Sequence, residues 1–158
     1  MKIEEKIIIN LQKCLPKQYI NIMKFISVPF NLPIFIIILV ILYLYDLIKI
    51  KDIGLVVSAQ FIIGIIKYIF KRNRPFIQNK KIKNYEILKF DKYSFPSGHS
   101  LNAFLLYYIF THYYNISQYY IILPCIVAMS RVVLGVHYIS DVICGALLAK
   151  LIVTTIKS

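Results

Sequence analysis

LPIFIIILVILYLYDLIKI, residues 32–50, decides the fold class. From Leu32 to Ile48 it holds a single charged residue, Asp46, in a run as long as a short membrane span. A bilayer core of about 30 Å needs about 20 helical residues, and about 17 are tolerated. Working outward, four more segments read the same way: Ile53 to Phe70, Gly98 to Tyr114, Tyr119 to Leu134, and Val136 to Ile156. Pro124 removes a backbone donor and is expected to kink the fourth. The reading is an all-α integral membrane helical bundle with about five transmembrane helices.

Composition agrees. The 158 residues fit one domain; 59% are hydrophobic, against about 45–50% in an ordinary soluble domain. The mean hydropathy is +0.68. A net charge of +12 would suit nucleic acid, but no reading motif is present, and spans of this length point to anionic lipid or a phosphorylated substrate. Cys14, Cys125 and Cys144 lack CxxC spacing and indicate neither a disulfide framework nor a zinc site.

The N-terminal run IEEKIIINLQKCL alternates apolar and charged positions at helical spacing, so residues 1–31 are expected to form an interfacial segment ahead of a 32–156 core. The early Glu4 and Glu5, with no small-residue cleavage site, argue against a removable signal peptide. Residues 71–97 form the one sizeable polar connection.

Consecutive spans alternate direction. The end of span two, the start of three, the end of four and the start of five therefore share one membrane face. The unusual polar groups fall at those places: Lys67 and Arg74, Ser97 and His99, Ser130 and Arg131, His137 and Asp141.

Their chemistry is suggestive. At i and i+4 on a helix, Asp141 can accept from one nitrogen of His137 and leave the other as nucleophile or base; taken alone, a buried pair that satisfies itself is the plainer account. FPSGHS, residues 95–100, reads as a helix start, with Ser97 near the N-cap, free amides around Gly98, and His99 placed to protonate a leaving group. KYIFKRNRP, residues 67–75, supplies Lys67, Arg72 and Arg74, and Arg131 adds a further cation. A basic cluster alone usually marks topology. Together these parts suit phosphoryl transfer: cations and helix amides hold the phosphate, His137 attacks, and His99 protonates the leaving oxygen. No carboxylate cluster suggests a metal, and no cofactor is expected.

The spacing resembles the type 2 phosphatidic acid phosphatase superfamily, whose signature is K-x6-R-P, P-S-G-H and S-R-x5-H-x3-D. Lys67, Arg74 and Pro75, then Pro96 to His99, then Ser130, Arg131, His137 and Asp141 fill all eleven fixed positions in order. The resemblance implies a metal-independent membrane enzyme that removes phosphate from a lipid phosphomonoester or diphosphate: polyprenyl diphosphate, phosphatidic acid, phosphatidylglycerophosphate or lipid A phosphate. It implies His137 as nucleophile, Asp141 as its orienting partner and His99 as general acid, with Lys67, Arg74, Ser97, Gly98 and Arg131 binding phosphate. The family often has six spans, one more than expected here.

The positive-inside rule, applied to Lys2, Lys6, Lys13, Lys17, Lys24 and the basic loop, would put the site in the cytoplasm. Related bacterial enzymes commonly work on the outer face of the cytoplasmic membrane, and some of these cations serve substrate, so the expectation leans outward. Vanadium-dependent haloperoxidases share the pattern but are soluble. The alternative from another class is a non-catalytic lipid-binding or lipid-transport membrane protein.

Overall fold

The computed structural model describes residues 2–86 and 92–155, and these are all-helical with no strand. Eight helices run in order: α1 (Ile3–Cys14), α2 (Lys17–Ser27), α3 (Leu32–Leu44), α4 (Ile50–Phe70), α5 (Pro75–Gln78), α6 (Gly98–Tyr113), α7 (Ile122–Val133) and α8 (Ile139–Thr155). Helices stand at all five expected places, yet among the described residues only one, Ile50–Gln78, is by itself long and apolar enough to cross a membrane. A second arises if the pair Lys17–Phe30 and Leu32–Leu44, bent by 58°, is taken as one span. The helices α6 and α7, at 16 and 12 residues, are shorter than the ~17 that a crossing tolerates, and α8 has 17 described residues.

The N-terminal segment also differs from expectation. It is two helices, and α2 runs through a 3-10 turn at Val28–Phe30 into the bent pair with α3. Pro124 does not kink a helix interior. It is the third residue of α7, in the first turn, where a helix has N–H groups without intrahelical partners anyway.

The core is built where α3, α4, α6 and α8 face one another, through Phe35, Leu39, Ala59, Ile63, Leu101, Leu105, Ala149 and Val153. Along α8 the buried Val142, Gly145, Ala149 and Ile152 turn inward, while Ile143, Leu147 and Leu151, four residues apart, stand 52–59% exposed. Large apolar groups facing out of a packed bundle on several helices suit a hydrocarbon surround rather than water. Gly145 is needed for close approach: a Cβ there would lie 2.6 Å from the Ser97 carbonyl and 3.2 Å from Ser100 Cβ. This contact seats α8 against the N-terminus of α6, where Ser97 lies.

The helix α1 braces the turn between α7 and α8. Gln12 donates to the carbonyls of Lys83 and Val133, both at 2.9 Å, and accepts from Lys83 N–H at 2.9 Å. Gly135 sits at φ +75°, the left-handed region, and a Cβ there would stand 2.4 Å from the Lys83 carbonyl. Only glycine meets both demands, so the turn in SRVVLGVHYISD can lie flat against residues 82–85. Tyr85 N–H, donating to the Leu134 carbonyl at 3.1 Å, fixes that loop on the turn.

Candidate active site

A cavity of about 460 Å³ opens where the ends of α4, α6 and α7 converge. Lys67, Arg74, Gly98, His99, Arg131 and His137 line it, so six of the eight expected site residues meet at one place. Ser97 and Asp141 stand behind the wall, both fully buried. Ser97 caps α6, its Oγ accepting from Ser100 N–H at 3.4 Å, and its own N–H donates to the Asp141 carbonyl at 3.0 Å. An added Cβ at Gly98 would meet nothing within 4 Å, so packing does not demand glycine there.

His137 departs from expectation. It precedes α8, in the turn, rather than forming a helical i, i+4 pair with Asp141. Its Nδ1 lies 2.7 Å from the backbone carbonyl of Ser94 and 3.6 Å from Asp141 Oδ2. A carbonyl only accepts, so Nδ1 carries the proton and Nε2 keeps its lone pair. Burial first, then the charges of Arg74, Arg131, Lys67 and His99, hold the His137 pKa well below its ordinary value of 6.5.

Ser94 is the partner that sequence reading missed. It is held by Arg72: its N–H donates to the Arg72 carbonyl at 2.9 Å, and its Oγ lies 3.2 Å from the Asn73 carbonyl. No side-chain pattern announces a backbone acceptor, so no signal for it existed.

Asp141 is committed elsewhere. Its Oδ2 accepts from Tyr138 N–H at 2.8 Å, an acid closing the first turn of its helix, and its Oδ1 accepts from Arg72 Nη1 at 2.6 Å. Arg72, grouped in the sequence with the phosphate-facing cations, turns away from the cavity. It also donates to Ser140 Oγ at 2.7 Å and Glu4 Oε2 at 3.0 Å, and stacks 3.9 Å over the Tyr138 ring. Partial burial works against the Glu4 carboxylate, but Ser140 N–H, its hydroxyl and Arg72 outweigh it and hold the Glu4 pKa below the ordinary carboxylate value.

Arg131 is the reverse case. Its side chain is 1% exposed and donates through Nη2 to Glu86, another cavity residue unforeseen from sequence. Its Nε and Nη1 are buried and, among the described residues, have no hydrogen-bond partner. Two orphaned guanidinium donors beside Lys67 and Arg74 are a site made for an anion. Arg74 donates to the Val136 carbonyl at 3.3 Å and Lys67 to the Tyr93 carbonyl at 3.2 Å, and both residues line the cavity.

The sequence profile of the PAP2 superfamily matches residues 52–158, about two thirds of the chain and every residue of the signature. The chain belongs to the PAP2 superfamily. Among PAP2 relatives, phosphatidylglycerophosphatase B of Bacillus subtilis (strain 168) is 38% identical over 77 residues, which is 41% of this chain and 38% of that protein. The chain thus matches about two fifths of the length of this curated relative. Two solved structures superpose on it. The transmembrane phosphatidylglycerolphosphate phosphatase from Bacillus subtilis gives a TM-score of 0.74 at 24% identity, covering 98% of this chain and 82% of that one. Aquifex aeolicus LpxE gives 0.81 at 18% identity over the whole of both chains. At such identities these two likenesses speak for the fold.

Proposed function

We propose that the chain is a membrane lipid phosphatase that works without a metal, through a phosphohistidine. The observation that carries this reading is the pairing of a tautomer-fixed, neutral His137 with the orphaned Nε and Nη1 of Arg131 in one buried cavity. The phosphate of a lipid phosphomonoester or diphosphate enters, displaces Glu86 from Arg131, and is held by Arg131, Arg74, Lys67 and the amides around Gly98. His137 Nε2 attacks phosphorus, and the bond from phosphorus to the lipid oxygen breaks as His99 gives that oxygen a proton. Water, losing a proton to His99, then attacks the phosphohistidine, releases inorganic phosphate and restores His137.

Fixed cations in a desolvated site stabilise the charge on the transferring group, and that is the largest expected contribution to rate. Asp141 acts at one remove: it fixes the start of α8 and supplies negative charge 3.6 Å from His137 to steady the positive charge the ring acquires. Ser97 acts as the cap that sets the α6 amides.

The lipid enters from the bilayer, where the outward apolar faces of the helices lie. We place the cavity at the outer face of the cytoplasmic membrane, a reading against which the N-terminal lysines stand, while Arg74 of the basic loop, lining the cavity with Lys67 and Arg131, is counted as a substrate ligand rather than a topology signal. The test is phosphate release from lipid phosphates in detergent with EDTA present, comparing the wild type with His137→Ala. Full activity in EDTA and loss of at least about a thousandfold in the variant are expected. Abolition by EDTA, or an active His137→Ala, would overturn the mechanism.

A further inference from the structure

The cavity has a second, uncharged end. Gln60, Ile63, Gly64 and Lys67 all line it, at the i, i+3, i+4, i+7 spacing of one face of α4. His99 and Asn102 do the same on α6. At 1.5 Å per residue, Gln60 lies about 10 Å along α4 from Lys67, and Asn102 about 4.5 Å along α6 from His99. Along both helices the cavity lining therefore passes from charged groups to amides.

Those amides form a chain. Gln60 Nε2 donates to Asn102 Oδ1 at 2.6 Å, and Asn102 Nδ2 donates to the Phe30 carbonyl at 3.0 Å. The next residue, Asn31, lines the same cavity at 4% exposure, and its Oδ1 is buried with no hydrogen-bond partner among the described residues. Asn31 is the N-cap of α3, where asparagine normally accepts from the second or third helical N–H; here it makes no cap bond. Pro33, the second helical residue, has no N–H to offer. A buried amide oxygen left unpaired is costly, so one that lines a cavity calls for a donor there.

We propose that Asn31, supported by the Gln60–Asn102 pair, is a specificity subsite that accepts a hydrogen bond from a hydroxyl on the carbon skeleton a few bonds from the scissile phosphate. Lipid phosphates built on a hydroxyl-bearing polyol fit both ends of the cavity. A polyprenyl phosphate or diphosphate, with hydrocarbon directly after the phosphate, leaves Asn31 Oδ1 unsatisfied. A site built to pair with a hydroxyl discriminates against the analogue lacking it more strongly than an apolar pocket discriminates by size.

This inference rests on the phosphatase reading, and the experiment separates the two. The substrates are a monoacylglycerol phosphate with a free 2-hydroxyl and its 2-deoxy analogue, which share tail and phosphate. For the wild type in detergent, kcat/KM is expected to favour the hydroxyl compound by about tenfold or more. In Asn31→Leu that ratio should fall to near one, and Asn31→Ala serves as the second variant if Asn31→Leu does not fold. Hydrolysis of both compounds by the wild type at equal kcat/KM, or a ratio unchanged in the variants, overturns the subsite while leaving the phosphatase reading standing. Release of phosphate from neither compound by the wild type overturns both.

Discussion

Arg72 and Arg131 stand on opposite sides of the same turn and have opposite fates. Around Arg72 every charge is answered: Asp141, Glu4 and Ser140 accept from it and the Tyr138 ring stacks beneath. Around Arg131 a nearly inaccessible guanidinium keeps two nitrogens without partners and shares a cavity with Lys67 and Arg74. Two buried or half-buried arginines thus separate into one that holds the fold and one that waits for an anion. Polar satisfaction, rather than charge or position in a basic run, tells them apart.

The sharpest way to break this comparison is to remove each arginine. Arg131→Ala should lower kcat/KM by about a hundred- to a thousandfold, as loss of a fixed donor at a charged transition state does. Arg72→Ala should act chiefly on stability, on the order of 3 kcal/mol, because it leaves the buried Asp141 carboxylate without its cation. A thermal melt in detergent beside the rate measurement decides. If Arg72→Ala loses rate with an unchanged melt, the division is wrong.

The pH profile sharpens the same point. A depressed pKa keeps His137 neutral, hence nucleophilic, as pH falls through the usual imidazole range, so the acid limb of kcat/KM should lie below pH 6.5. The charges that lower it are those of Arg74, Arg131, Lys67 and His99, all lining the cavity, whereas Arg72 turns away from it; the limb should keep its place in Arg72→Ala.

Gly135→Ala should cost about 1–3 kcal/mol, seen as a lowered melting temperature, since the new Cβ meets the Lys83 carbonyl at a left-handed φ. The smallest effect expected is at Glu86. With its carboxylate gone, Arg131 no longer has an internal anion to exchange, and Glu86→Gln should tighten inhibition by vanadate or inorganic phosphate roughly fivefold, equivalent to about 1 kcal/mol. Unchanged inhibition would mean that the Glu86 pairing does not compete with substrate.

Much of this site was legible in the residues. Alternation of apolar segments led to the expectation that Lys67, Arg74, His99, Arg131 and His137 meet, and all five line one cavity. The helix lengths were less legible, because hydropathy marks apolar runs but not where capping and turns end a helix. Leu32 to Ile48 reads as a span, yet α3 stops at Leu44 and reaches the length of one only if counted with Lys17–Phe30, to which it is bent by 58°. Likewise Asp141 looked like a helical partner to His137. An acid that accepts from Tyr138 N–H instead starts the helix after the histidine, and this frees the ring to find a backbone carbonyl.

By itself the sequence determined the helical class, the order of the apolar segments and the set of chemical groups, because period and side-chain type are local properties written in order along the chain. The tertiary structure alone decided which groups are spent on one another. It turned Arg72 away from the cavity to Asp141 and Glu4, put the Ser94 carbonyl against His137, brought Glu86 to Arg131, and left the buried Asn31 Oδ1 without a partner among the described residues. Each depends on which loop lies against which helix end, and hydrogen bonds between residues 43 to 69 positions apart carry no mark in either local stretch.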